Sequence, residues 1–514
     1  MQGFWSRSIK NAKMKKFVCS NAFSKIRVSP FSTETATSSS SSSSAQSLYR
    51  RVSAVADSKA SIAPVLDQWV EEGNPVKRDL FQSLIQRTRT SRRYQHALEI
   101  SQWIAKDGSV EQTPIDAAVQ LDLIFKSQGL QHAEQYFDSI VEKLKASQPY
   151  GALLNCYVKN KSVQKAEVLA QEMKNMGFLN TPFAYNKLAE LYLQTGQHEK
   201  INTLMDEMKV KGVIQDKFTW KIRLNACVAA SDIVGMESIL HEMEEDPIIV
   251  VEWKLYAIAS DGYVKAGLVD KALVTLKKVE EIAVERSAVA AFEYLLSQYA
   301  SLGKKNELLR AWNLFKATGE VTMDSYTSMI TYLENLDDIH VAEKIWEEFE
   351  SNCTDREFRV LKQLIVSCCK KGFFEKAESL IKQTEEKAGE ISWVTDSVWK
   401  ILATGYLKDE QIGKAIEMFK KSLSVSKRRL IKPGKNVLAT CFSHFEGQGD
   451  VQGAEDFVKL LSSKGPLTRE VYHSLLRTYI KANKQFNPVL KRMKADGLPA
   501  DEETQQIVGG SATA

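Results

Sequence analysis

The feature that most constrains this 514-residue chain is a pattern that recurs about every 35 residues. Residues 182–216 show it. Tyr185, Leu188, Ala189, Tyr192 and Leu193 fall at i, i+3, i+4, i+7 and i+8, one apolar face of a helix. Gly196 breaks that helix. Ile201, Leu204, Met205 and Met208 then form a second apolar face, which Gly212 stops. The same sketch starts near Ile115, Ser147, Pro182, Lys217, Trp253, Val289, Met323, Phe358, Asp396, Lys435 and Arg469, at spacings of 32 to 39 residues. The break between helices recurs as Gly129, Gly196, Gly267, Gly303, Gly372 and Gly449. Five residues beyond that slot stands a small residue, as Ala166, Ala272, Ala342, Ala377, Ala415 and Ala454, which lets the second helix pack closely on the first. A first-helix aromatic recurs as Tyr157, Tyr192, Tyr263, Tyr299, Tyr406, Phe445 and Tyr479. The expected fold class is all-α: about eleven helix–turn–helix repeats stacked as a right-handed superhelical solenoid with a long concave groove.

Length agrees with an open array, because one hydrophobic core rarely grows beyond roughly 250–300 residues. The apolar fraction of 44% is that of an ordinary folded protein. No stretch nears the roughly 18 apolar residues of a membrane span, so no membrane insertion is expected. Charge is unevenly placed. Residues 1–33 hold seven basic groups and no acid; without them the chain has 62 basic against 64 acidic groups, a net charge of −2. A nucleic-acid surface on such a body must be local. The seven cysteines form no C-x-x-C pair and are read as reduced, mostly buried thiols, with neither metal nor cofactor expected.

Residues 1–33 have the composition of an organellar targeting presequence, and the density of Lys and Arg from the start favours the mitochondrial matrix over the chloroplast. The alternative is a disordered basic tail that binds RNA directly. Residues 34–77 read as a Ser-rich disordered linker and leading helix, Ser38 to Ser44 being a spacer with nothing apolar to bury. Everything before about Lys59 is expected outside the fold. Residues 78–114 look like a degenerate capping repeat, 115–503 like the array, and 504–514 like a disordered tail.

The tetratricopeptide pattern wants an early Trp and a late Pro, and neither is regular here. The run from Ala184 to Gly196, with Met208 to Asp216, and the run from Asp261 to Leu273 instead resemble pentatricopeptide units. The resemblance covers roughly residues 78–503, and the uniform unit length resembles the P subfamily of plant organelles. It implies a groove that holds single-stranded organellar RNA, about one base per repeat. A polar residue in the first helix would meet the base edge, helped by the last residue of the repeat. Carried over by position, Asn186 with Asp216 matches a uracil-type pair, because an amide can read a Watson–Crick edge. Thr327, and His473 with Asp501, are further base-contact candidates. Lys221, Lys362 and Lys400 suit phosphates, which position RNA without specifying it; a solvated helix face explains them as well. At the same position Gly151, Ala257 and Ala439 carry no hydrogen-bonding side chain, and Glu293 would repel phosphate.

Nothing catalytic stands out. His132-Ala-Glu134 and His444-Phe-Glu446 match H-x-E, but no C-x-x-C follows, as a zinc deaminase would need. Phosphate-loop, hydrolase-elbow and zinc-protease motifs are absent. The expectation is an RNA-binding protein that acts in transcript processing, stability or translation and is not an enzyme. The alternative is a protein-interaction scaffold, such as a structural component of the mitochondrial ribosome.

Overall fold

The computed structural model describes residues 41–57, 60–245, 250–352, 359–388, 395–425 and 433–509. Among these the only regular elements are helices. The expected presequence lies outside the described residues. The chain divides into two compact units, residues 1–191 and 192–514.

The repeat register holds. Eight expected unit starts coincide with helix starts, at Ser147, Pro182, Lys217, Trp253, Val289, Met323, Lys435 and Arg469. A typical repeat is the pair Trp253–Lys265 and Val269–Glu285. Its first helix buries Leu255, Tyr256, Ala259 and Tyr263, and its second buries Ala272, Leu276, Val279 and Ala283. The small residues after each break, Ala166, Ala272, Ala342, Ala377, Ala415 and Ala454, are all fully buried. In the second unit one continuous apolar core runs from Trp220 to Met493, with Phe292 and Phe315 stacked at 5.0 Å inside it.

The turn between the two helices obeys a stricter rule than the glycines suggested. Gly196, Gly267, Gly303, Gly372 and Gly449 have φ between +63° and +79°. Where the repeat lacks glycine, Lys161, Ser231, Asp337, Glu410 and Asn483 take the same left-handed conformation at φ of +54° to +61°. The cause is a shared hydrogen bond. The next residue's N–H reaches back to a first-helix carbonyl, as Leu268 to Tyr263 (2.9 Å), Gln411 to Tyr406 (3.0 Å) and Lys484 to Tyr479 (3.0 Å). This six-to-one bond closes the helix only if the residue before it is left-handed.

The recurrent tyrosine also ties successive repeats together. Tyr263 donates to Glu237 of the preceding second helix (3.1 Å), and Lys271 of its own repeat pairs with that glutamate (2.6 Å). Tyr406 donates to Glu378 (2.7 Å) and Tyr479 to Glu455 (2.8 Å), with Arg492 completing the second cluster at 2.9 Å. Burial and these carboxylates raise the hydroxyls of Tyr263 and Tyr479 to about 12. Further pairs join second helix to second helix: Lys165 to Glu134, Lys278 to Glu244 and Lys316 to Glu348.

Both ends of the fold extend past their expected limits. A helix spans Ser41–Ala54, starting inside the serine run. Its Leu48 and Val52 lie four residues apart and are buried, while Arg93 donates to the Val52 carbonyl at 3.2 Å. The apolar pair and its clamp bring this segment into the fold, which therefore begins before Lys59. At the other end a helix spans Glu502–Gly509, where a disordered tail was expected from residue 504. Asp501 caps it: its Oδ1 accepts from the Thr504 N–H at 2.9 Å, and Thr504 is buried.

The thiols of Cys156, Cys227, Cys368, Cys369 and Cys441 are free. Burial pushes those of Cys156, Cys368 and Cys441 up to about 12.

Candidate nucleic-acid interface

The fifth residue of each repeat, counted from the unit starts, is the position expected to face RNA. These positions share a register, but their accessibility differs. Lys221 is exposed on the helix Lys217–Ala230, and Lys362 and Lys400 are half-buried on Arg359–Lys370 and Thr395–Lys408. None of the three makes an ion pair among the described residues. Their ammonium groups are therefore available to an anion.

The base-contact candidates differ. Asn186 is only 7% exposed on the helix Pro182–Gln194. Thr327 is half-buried, and its hydroxyl donates to the Met323 carbonyl one turn back (2.9 Å), which uses its one donor. His473 is 1% exposed. Its Nε2 lies 2.8 Å from the Thr504 hydroxyl and 3.6 Å from Asp501, and its Nδ1 is 3.3 Å from Glu503. The structure thus brings His473 and Asp501 together, but beneath the C-terminal helix. This corrects the expectation for the pair: a helix stands where a disordered tail was expected, it covers the imidazole, and Asp501 caps it.

Asp216 shows why the last residue of a repeat is polar. It is the N-cap of Lys217–Ala230: its Oδ1 accepts from the backbone of Phe218 (3.0 Å) and of Thr219 (2.9 Å). The Thr219 hydroxyl closes the box by accepting from the Asp216 N–H (3.2 Å). Thr322 caps the helix Met323–Asn335 in the same way through Ser325. At Glu293 the side chain is exposed, and partial desolvation followed by the nearby Asp324 lifts its carboxyl above the usual range.

Repeat spacing does not reveal one further feature. In the first unit a cavity of about 530 Å³ opens beside the helix Ser147–Lys159, lined among others by Ile115, Gly151, Asn155, Phe183 and Lys187. Phe183 is 51% exposed. A Cβ at Gly151 would stand 3.3 Å from its ring, so glycine there lets the ring lie close to the neighbouring first helix. Lys187 sits 5.8 Å from the ring centre. An exposed ring with an adjacent cation suits a flat base and its phosphate. Phe218, at the same place in the next unit of sequence, is also exposed, with Lys217 at 5.7 Å. The signal in the sequence is an apolar residue at the second helical position, off the buried i, i+3, i+4 stripe.

A family model described as PPR repeat matches residues 149–178, 183–213, 361–387 and 397–424. The chain is 38% identical over 423 residues to the mitochondrial pentatricopeptide repeat-containing protein At2g20710 of Arabidopsis thaliana, covering 82% of this chain and 85% of that one. It is 28% identical over 465 residues to the Arabidopsis large ribosomal subunit protein mL101 (rPPR4), covering 90% and 94%. A solved structure of the maize protein PPR10 in complex with an 18-nt psaJ RNA element aligns with 91% of this chain and 76% of that one, at a TM-score of 0.47 and 17% identity.

Proposed function

The chain belongs to the pentatricopeptide repeat family, and on that premise we propose that it is a mitochondrial protein that binds single-stranded RNA mainly through phosphates, with little selectivity among bases. It acts in the processing, stability or translation of an organellar transcript, as a binding protein without chemistry of its own. The uniform unit length is that of the P subfamily.

One observation carries this reading. At the positions that face RNA in the family, the side chains that offer an unspent charge are Lys221, Lys362 and Lys400, while Asn186 and His473 are buried and Thr327 donates to its own helix. Lysines hold phosphates as point charges and read no sequence. Asn186 remains a candidate for a base contact, by residue type alone.

The test is fluorescence anisotropy of the full chain with labelled uridine, cytidine and adenosine 20-mers over a salt series. Binding at low salt, with affinities within about tenfold of one another and a log–log salt slope of roughly −0.7 per phosphate held, supports the proposal. Absence of binding above about micromolar at low salt ends it.

The likeness to mL101 along almost the whole chain favours a second reading, a structural component of the mitochondrial ribosome. Cosedimentation with a ribosomal subunit after nuclease treatment supports it, and absence from ribosomal fractions sinks it.

A further inference from the structure

Charge is segregated within the second unit. Residues 217–352 carry 14 Lys and Arg against 23 Asp and Glu, a net charge of −9. Residues 396–497 carry 19 against 10, a net charge of +9. The near-neutral total conceals the division.

Pairing accompanies it. In the acidic repeats seven of the fourteen basic groups are in ion pairs among the described residues, among them Lys217 with Glu252 (2.9 Å), Arg223 with Glu242 (2.8 Å), Lys271 with Glu237 (2.6 Å) and Lys316 with Glu348 (2.7 Å). In the C-terminal repeats it is the acids that are engaged. Glu455 holds Tyr479 and Arg492 (2.8 and 2.9 Å), Glu470 holds Lys435 (2.9 Å), Asp450 caps Gly453 (2.9 Å) and Asp496 accepts from Tyr472 (2.5 Å). Lys459, Lys481, Lys484, Lys491 and Lys494 are exposed and make no ion pair among the described residues.

These five lysines are grouped by the fold. Lys459 lies one turn from Glu455 on the helix Val451–Ser462, and Glu455 binds Arg492, which stands between Lys491 and Lys494 on the helix Asn487–Ala495. Lys481 and Lys484 flank the turn that leads into that second helix.

We propose that the C-terminal repeats, through Lys459, Lys481, Lys484, Lys491 and Lys494, form a phosphate-binding platform for RNA that adds to the fifth-position lysines, and that the acidic repeats 217–352 contribute no phosphate contact besides Lys221. The partner is a nucleic-acid backbone: exposed ammonium groups without ion pairs, on repeats of net charge +9, match a polyanion. The inference rests on the RNA-binding reading and adds a set of phosphate contacts in one part of the array.

The experiment uses the full chain and a labelled uridine 20-mer. The variant Lys459→Gln/Lys481→Gln/Lys484→Gln/Lys491→Gln/Lys494→Gln is compared with Lys265→Gln/Lys277→Gln/Lys344→Gln, three lysines of the acidic repeats. Each phosphate that the variant no longer holds removes roughly 0.7 from the log–log salt slope, so release of three phosphates lowers affinity about 100-fold at 0.1 M salt. The control set stays within about twofold. Circular dichroism melts confirm that both variants fold. Unchanged affinity and slope in the five-lysine variant overturn the platform while leaving RNA binding intact. Wild-type protein that binds no RNA overturns the underlying reading instead. Phosphatidylglycerol vesicles form the last arm: if they bind through the five lysines while RNA binding ignores them, the patch belongs to a membrane surface and the proposal falls.

Discussion

Replacing Asp216 by alanine separates two roles that its position combines. In the structure its carboxylate accepts from two backbone N–H groups and the Thr219 hydroxyl, at 2.9 to 3.0 Å. Phe218 is exposed and its N–H can turn to water, but Thr219 is fully buried, so its N–H would lose the carboxylate with no water to replace it. Loss of a cap of this kind costs about 1–2 kcal/mol, and the negative charge at the helix start adds some tenths more. A cost near 1.5 kcal/mol speeds local opening roughly tenfold. Amide hydrogen exchange followed by mass spectrometry reads this directly, since protection should fall about tenfold in the repeat containing Lys217–Ala230 and remain unchanged in distant repeats. Asp216→Asn keeps an acceptor for both N–H groups and should restore most protection. If Asp216→Ala leaves exchange unchanged while RNA affinity falls at uridine sites alone, the capping account is wrong and the carboxylate is a reader of bases.

Other outcomes follow from the same geometry. Glu410→Gly and Asn483→Gly should each stabilise the fold by about 0.5–1 kcal/mol in urea melts, because both hold φ near +60° where a side chain is strained. The Lys435 ammonium beside Glu470 holds its carboxyl down at about 2. A depressed carboxyl contributes stability above the ordinary carboxylate range and loses it as pH falls toward 2; Lys435→Gln should return the Glu470 titration, followed by carboxyl-carbon NMR, toward 4. The thiols of Cys156, Cys368 and Cys441 should resist iodoacetamide at pH 8 until the chain unfolds, as liquid-chromatography mass spectrometry can show, since burial holds them protonated. Truncation of the first 58 residues removes Leu48 and Val52 and should expose the neighbouring capping repeat to proteolysis, whereas removal of residues 1–40 should not.

The register of the array was legible because helical periodicity and helix breakers are local in sequence. Tyr263 and Ala272 could be assigned to a buried face from their neighbours. The glutamate that each tyrosine addresses was not legible. Glu237 and Glu455 stand 26 and 24 residues earlier, on a different helix, and nothing local distinguishes them from solvated acids. The turn was legible in part: the glycines marked it, but Lys161 and Glu410 show that the six-to-one bond, not the residue type, sets the conformation. The interface was the hardest to read. Spacing puts Asn186, Thr327 and His473 at one helical position, but their exposure depends on the adjacent helix and, for His473, on a C-terminal segment whose single buried residue, Thr504, gives no apolar period. Asp216 and Asp501 are polar for a reason that spacing could not separate from recognition, since each begins the helix that follows it.

The ties between second helices have a consequence for how the chain tolerates change. Lys271 meets Glu237 and Lys278 meets Glu244, both across 34 residues, and each tie spans one repeat and no more. A unit is therefore anchored only to the one before and the one after. A cassette exchanged at matching turns would find a carboxylate waiting on one side and offer one on the other. Damage to one unit stays with its immediate neighbours, and the array can be lengthened or shortened by whole units without redesigning what lies beyond them.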